Sequence, residues 1–546
     1  MLTVTAYRRR LLRPLAAVFG VLALALAASF GPAVGPGAAF GPALAYGQGT
    51  VLKVVPQASL RVLDPIWTTG YITRNHGYLI YDTLFAMDAN LKPQPQMVGK
   101  WSLSKDKLLY TFTLRPGLKW HDGLPVQAKD CVASLKRWGA RDVSALTMMR
   151  FVKSMDAVNA STFTIKLNEP YGLLIESLAK ISSNVPFMMP ERVAMTDPQK
   201  QIEDYTGSGP FKFVKEEFVP GVKAVYEKFK DYVPRKEKPS LLSGGKVVKV
   251  DRVEWIYIPD QNTAMAALLN GEVDYFETPA IDLIPLMQGK PHIIVANTDP
   301  LGNQGVLRPN HLQPPFNNPK ARQALYYIVS QEEYMRAIIG DPNKFKLSWA
   351  LFMSNGPMAT EAGAANYKQD FDKAKELLKE GGYNGEKVVL LDPTDQFVPH
   401  NAALVTAQLL RKAGVNVEVQ AMDWSTMLTR RAEKTPISEG GWNLFHTWVT
   451  GADQTNVLSN FQVAGGCDKA WFGWFCDPKI EDLKVQWAKE TNLAKKKALA
   501  AEIQVRAYEG GAYVPLGQFD LPTAYRDNLS GVIISPVTIY WNIAKK

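Results

Sequence analysis

Cysteine is scarce in this chain of 546 residues: there are three, at 131, 467 and 476. None lies near the end of the N-terminal apolar stretch, which excludes a lipid attached there as in a bacterial lipoprotein. Histidine is nearly as rare. The six residues, at 76, 121, 292, 311, 400 and 446, are scattered, with none at metal-ligand spacing on a shared helix. The motifs of the common catalytic folds are missing as well. There is no G-x-S-x-G elbow (Gly207-Ser208-Gly209-Pro210 lacks its spacing), no phosphate loop, no dinucleotide G-x-G-x-x-G and no His-Glu-x-x-His. Carboxylates are plentiful, but no pattern singles out an acid/base pair. These absences favour a non-catalytic protein with no metal and no cofactor. An exported enzyme is the rival class, which an acid/base or metal constellation in a cleft would revive.

The chain carries a net charge of +10. Four arginines (Arg8, Arg9, Arg10, Arg13) stand in the first 45 residues, which hold no acid, so the remainder is left with +6. Basic residues there are dispersed among acids, without the clustered stripe and interleaved aromatics of a nucleic-acid binder. With 46% hydrophobic and 21% charged residues the composition is that of a globular protein. The length exceeds what one core usually supports, so at least two lobes are expected.

At the N-terminus, YRRRLLRP at 7–14 precedes LAAVFGVLALALAASF at 15–30, and a Gly/Ala/Pro-rich stretch ends in Ala43-Leu44-Ala45. That order is an export signal with an A-x-A cleavage site, leaving Tyr46 as the mature N-terminus. The apolar run is short and rich in Ala and Gly for a membrane span. Arg8-Arg9-Arg10-Leu11-Leu12 fits the twin-arginine pattern, and an ordinary basic signal region equally, so both export routes stay open. The expected location is the periplasm. In that oxidising compartment Cys467 and Cys476, flanking KAWFGWF, are a candidate disulfide. Cys131, within the amphipathic DCVASLKRW, reads as a small buried apolar residue.

Beyond residue 46, Pro/Gly turns separate short β-rich runs from helical patterns, which predicts a mixed α/β architecture. YTFTLRPGLKW at 110–120 and STFTIKLNEP at 161–170 alternate as strands. KVVKVDRVEWIYIP at 246–259 reads as a strand pair, and TAMAALLNGEVDYFE at 263–277 as a helix stopped at Gly271, then a strand. FDKAKELLKEGGY at 371–383 is an amphipathic helix with Ala374, Leu377 and Leu378 on one face. KVVLLD (387–392), NAALVTAQLLRKAG (401–414) and VNVEVQAMDW (416–424) read as strand, helix, strand, a βαβ crossover. Arg322, in NPKARQAL, reads as a helix-surface charge or a scaffold salt bridge.

One block, YTFTLRPGLKWHDGLPVQAKDCVASLKRW at 110–138, resembles the strand, turn and helix of bacterial family 5 extracellular solute-binding proteins almost residue for residue. This group holds the dipeptide, oligopeptide and nickel binders of ABC importers. Further matches follow in order: LDP at 63–65, YDTLF at 81–85, TGSGPFKF at 206–213, GEVDYF at 271–276, PPFNNPKARQAL at 314–325, then AKELLKEGGY and MDW. The resemblance implies an α/β, two-lobed periplasmic-binding-protein clamp of type II, in the large form with an extra subdomain and mixed sheets. One lobe would hold 46–295 plus a return at 515–546, with 80–205 as the subdomain; the second would hold 296–514. Ligand would be enclosed by hinge closure and handed to ABC permease subunits in the membrane. The binder itself is expected to be a monomer that contacts no nucleic acid.

Two segments resemble pocket-lining stretches of peptide-binding relatives: Thr68, Thr69, Gly70 and Tyr71 after LDP, and the loop containing Trp448, Thr450, Gly451 and Asp453. Trp442, Phe445 and Trp448 add flat apolar walls. Dipeptide binders have an acid directly after the loop's glycine, which holds the ligand's α-ammonium. Here Ala452 follows Gly451 and the acid comes one place later. A shift of one residue in an extended segment points the side chain to the opposite face, so the reading leans toward a lost anchor and a ligand without a free ammonium. A peptide or peptide-like small molecule is the expected ligand, with nickel chelate, haem, glutathione or opine-like solutes as alternatives. A nickel role would draw on histidine, for which His76 and His446 are nearest.

Overall fold

Seven strands form the first sheet, in the order Ile293–Ala296, Thr523–Arg526, Tyr275–Phe276, Val51–Val55, Arg252–Ile256, Lys223–Lys228, Phe211–Phe213. The computed structural model describes residues 49–364 and 367–546, so the expected export signal lies outside the described residues. Val51–Val55 runs parallel to both neighbours, and the flanking pairs are antiparallel, which makes the sheet mixed. The second sheet has six strands, ordered Phe345–Lys346, Val514–Phe519, Asn303–Pro309, Leu444–Thr450, Val388–Pro393, Val417–Met422. A lobe is built on each sheet.

Local sequence explains most of these elements. Leu109–Leu114 buries Tyr110, Phe112 and Leu114 on alternate positions, at the centre of a four-stranded antiparallel sheet that falls within 80–205. Val388–Pro393 is buried on both faces and parallel to both neighbours, hence its unbroken apolar run. The helix Phe397–Lys412 joins it to Val417–Met422 as read, though it starts earlier than expected. Pro399 is tolerated there because a first-turn residue needs no intrahelical N–H partner. Asp370 caps the helix Phe371–Glu380, which buries Ala374, Leu377 and Leu378. Gly271 ends the helix Gln261–Asn270 in the left-handed region (φ 77°).

Three expectations are corrected. Only Arg252–Ile256 of the expected pair at 246–259 is a strand. Residues 246–251 are irregular because Lys246 turns inward to a buried ion pair with Asp82 (2.7 Å). Arg322 is not a surface charge, nor is it ion-paired among the described residues: it is buried and donates to the carbonyls of Gly510 and Phe316 (both 2.7 Å). Val514–Phe519 pairs with Asn303–Pro309 in the second sheet, so the chain rejoins the first sheet at Thr523, not at 515. The two sheets are therefore linked twice, through residues 297–302 and 520–522. No helix among the described residues is long and apolar enough to cross a membrane.

Candidate functional site

The LDP motif begins one wall of the cleft. Asp64 is buried, accepts the Ile66 N–H (2.9 Å) and pairs bidentately with Arg137 (3.1 and 2.7 Å). Asn184 donates to the carbonyls of Pro65, Ile66 and Thr68, which holds the following loop rigid. Thr68 Oγ1 accepts the Gly70 N–H (3.2 Å), and the helix Tyr71–Ile80 starts there. Thr69, Gly70 and Tyr71 are thus presented to the second lobe by a fixed turn, while Thr68 serves the turn itself.

Opposite them the strand Leu444–Thr450 runs into a single helical turn, Gly451–Gln454. Gly451 is required: a Cβ there would lie 2.5 Å from the Leu301 carbonyl oxygen. Because the backbone curls at this point, Asp453 is not turned to the opposite face as an extended segment would demand. It is fully buried and faces the first lobe. Its Oδ2 accepts from Tyr71 Oη (2.9 Å), Ser182 Oγ (2.9 Å) and Ser183 Oγ (3.1 Å), while its Oδ1 is buried without a partner among the described residues. Tyr71 Oη in turn accepts the Thr450 N–H (2.9 Å). Desolvation raises the Asp453 pKa above 3.8, although Lys180 and Arg74 pull it down.

Trp448 stacks on Trp424 (5.3 Å between centroids, 29°) and meets the edge of Tyr71 (6.5 Å, 66°). With Thr69, Gly70 and Arg431 these rings surround a cavity of about 20 Å³. Past Thr69 and Trp471 it adjoins a space of about 330 Å³ bounded by Trp67, Arg141 and Lys434. Past Tyr71 and Trp448 lies one of about 60 Å³, reached by Arg74, Glu277 and Asp299. A further cavity of about 340 Å³, lined by Ile181, Lys180, Ala452 and Trp487, sits beyond the Asp453 turn. Every one of these spaces is bounded by residues of both lobes.

Two predicted wall residues stand back from these cavities. Trp442 is buried and packs on Phe445 (5.1 Å) and Trp474 (6.1 Å). Phe445 meets Trp471 (5.5 Å) and the Arg431 guanidinium (5.7 Å), one layer behind the cleft. His76 and His446 lie in the interiors of separate lobes, bonded to Tyr226 Oη (2.9 Å) and Thr406 Oγ1 (2.8 Å). Burial pushes both down to about 3, so they are neutral core groups. Cys467 and Cys476 are disulfide-bonded, and the loop they close brings Trp471 to the cleft, where its Nε1 donates to Thr69 Oγ1 (3.0 Å). Sequence reasoning passed over Arg431, Ser182 and Ser183, which carry no motif. Trp424 falls within the MDW match and Trp471 within the aromatic KAWFGWF loop, and neither pattern marks it as a cleft residue.

A two-lobed α/β molecule with a polar-anchored, aromatic-walled cleft between its lobes is a binding protein of the clamp class. The chain belongs to the bacterial extracellular solute-binding proteins, family 5, whose Middle region matches residues 92–462. It is 40% identical over 491 residues to a probable peptide ABC transporter periplasmic-binding protein of Sinorhizobium fredii, covering 89% of this chain and 92% of that one. Two solved structures share the fold. The binding protein AgaA in complex with agropinic acid, from A. tumefaciens R10, has a TM-score of 0.76 at 22% identity, covering 91% and 99% of the two chains. The periplasmic DppA of Helicobacter pylori in complex with peptide STSA has a TM-score of 0.73 at 21% identity, covering 91% and 98%.

Proposed function

We propose that this protein captures a peptide or peptide-like solute in the periplasm and delivers it to an ABC import permease. The mature chain would start at Tyr46, exported by the twin-arginine or the general route, and act as a monomer. One lobe comprises the described residues up to Ala296 together with those from Thr523; the other spans Asn303 to Phe519, and the two linking segments form the hinge. The observation that carries the reading is Asp453, held across the cleft by three hydroxyl donors on Oδ2 with Oδ1 buried and unbonded. A buried carboxylate oxygen without a partner is costly, and a cationic ligand group would satisfy it. This favours a ligand with a free ammonium over the N-blocked molecule to which the sequence leaned. The 40% identical relative, named for peptide transport, supports the same class.

Native mass spectrometry of periplasmic protein should show a retained amine-bearing solute. Calorimetry should then show Asp453→Ala weakening its binding by about thirtyfold or more, since truncating one partner of a buried charge pair costs about 2–5 kcal/mol. Equal affinity of the N-acetylated form of that solute for the wild type would overturn the anchor.

A further inference from the structure

We propose that Asp395 is a positioning residue for capture: with Tyr257 it clasps the two lobes outside the cavities and seats one wall of the cleft on the binding turn. The clasp is a property of the ligand-free chain. Only its consequence for affinity rests on the cleft being the binding site proposed above.

Its parts follow strand ends. In the first sheet Val51–Val55 and Arg252–Ile256 run parallel, and Gln57, Ser59 and Tyr257 come just after their C-terminal ends. In the second, Val388–Pro393 and Val417–Met422 are likewise parallel, followed by Asp395, Gln396, Trp424 and Ser425. Each lobe thus turns a short polar cluster toward the other. Tyr257 Oη donates to Asp395 Oδ2 (2.8 Å), and Gln396 Nε2 to the Gln57 carbonyl (2.9 Å). Ser425 Oγ donates to the Ser59 carbonyl (3.0 Å), and the two serine hydroxyls lie 2.9 Å apart. Gln57, Ser59, Gln396 and Ser425 are all buried where they meet. An exposed pair, Arg61 with Asp423 (3.7 Å), stands beside them and adds little.

Asp395 differs from the other members because it uses both carboxylate oxygens. Oδ2 takes the Tyr257 hydroxyl, and Oδ1 accepts the Trp424 N–H (2.7 Å). That N–H is a first-turn donor which the helix Trp424–Arg430 cannot satisfy within itself. The carboxylate therefore joins the first lobe to the start of this helix, and the helix is a wall of the cleft. Trp424 stacks on Trp448, and a Cβ on Gly70 would lie 3.1 Å from Leu428 Cδ1. Arg431, just past the helix, donates to Thr69 Oγ1 (3.1 Å). Asp395 and Tyr257 border none of the cavities described above, so a ligand held there touches neither. The clasp sets Trp424, Leu428 and Arg431 against Thr69 and Gly70 before ligand arrives. A competent form populated in advance raises apparent affinity in proportion to its population.

The test is small-angle scattering on the ligand-free mature protein. The pair Ser59→Cys/Ser425→Cys, oxidised to a bridge between the lobes and verified by mass, supplies the closed reference. Wild type should have a radius of gyration between that reference and the clasp variants Tyr257→Phe and Asp395→Ala, which expand. In Tyr257→Phe the ratio of closed to open form should fall about tenfold, the effect of one hydrogen bond to a charged group. A residue that only stabilised its own lobe would lower the unfolding midpoint and leave the radius alone. If Asp395→Ala does not fold, as circular dichroism will show, Tyr257→Phe, which keeps the ring, carries the comparison. An unchanged radius in Tyr257→Phe, or failure of the introduced cysteine pair to bridge, overturns the proposal. Because no ligand is added, a failure of the binding reading leaves this outcome untouched.

Discussion

Asp299 occupies the first segment linking the two sheets and touches the end of the strand Leu444–Thr450 directly. Its Oδ1 accepts the Leu301 N–H (2.9 Å) and its Oδ2 the Thr450 Oγ1–H (3.1 Å). Burial outweighs both bonds and pushes its pKa up from 3.8 to about 6. Between those values the folded protein holds a proton that the unfolded chain has released. The stability that Asp299 contributes is therefore present at low pH and lost as pH rises through about 6. The size is on the order of 2–3 kcal/mol for a shift of about two units. Asp299→Asn should flatten this dependence between about pH 4 and 6 relative to wild type. Buried His76 and His446 pull the other way, losing stability as pH falls below 6.5, because they must charge on unfolding. Only the difference between the denaturant-unfolding curves of the two proteins isolates Asp299. Parallel pH profiles would show that Asp299 does not titrate in this range.

Among the elements, the stapled loop 467–476 links stability to the cleft. Its Trp471 bonds Thr69 and packs on Arg431, and the carbonyls of Trp471 and Phe472 hold Arg308. Gly473 is forced by this packing: φ is +96°, and a Cβ would sit 2.6 Å from Arg308 Nε. Replacing Cys467 and Cys476 with serine should cost roughly 2–3 kcal/mol of stability by the loop-entropy account. It should also weaken ligand binding, because Trp471 loses its fixed position. Thiol counting on denatured, unreduced protein should find one group, Cys131, which sits fully buried in the helix Ala128–Gly139. Three thiols in freshly exported material would rule the bridge out in the cell.

For the whole molecule, contacts of several kinds hold the lobes together. At the rim, Arg150 with Asp482 (3.3 Å) and Lys489 with Glu169 (2.8 Å) are exposed pairs, each worth about 0–1 kcal/mol. Inside, Asp453 and Arg431 bridge the lobes with bonding capacity unused. Other bonds also cross between the lobes, from Ser425 Oγ to the Ser59 carbonyl (3.0 Å), Gln396 Nε2 to the Gln57 carbonyl (2.9 Å) and Tyr257 Oη to Asp395 (2.8 Å), so ligand would add its partners to an interface already partly bonded. Scattering should show a smaller radius of gyration on saturation with the solute retained from the periplasm. Unfolding should shift by about 2.7 kcal/mol at a hundredfold excess over the dissociation constant. An unchanged radius at saturation would refute closure as the capture mechanism.

Much of this architecture was legible in the chain as written. The alternation at 110–114, the Asp370 cap with its apolar face and the Gly271 stop are local signals, carried by side-chain periods of two and 3.6 and by backbone freedom at glycine. The ordered family motifs likewise announced the fold, and LDP now has a reason in the Asp64–Arg137 pair. What the tertiary structure decided concerns partners far apart in sequence. Lys246 left its strand pattern for Asp82, and Val514–Phe519 joined the second sheet through Asn303–Pro309. Asp453 turned toward Tyr71, 382 positions away, because one helical turn replaced extended backbone. Arg431 follows another arginine at a helix end and looks like any surface cation; only burial, and the lack of an acid beside it among the described residues, set it apart. Periodicity reports which way a side chain points from its own element. It holds no record of what the rest of the chain brings to meet it.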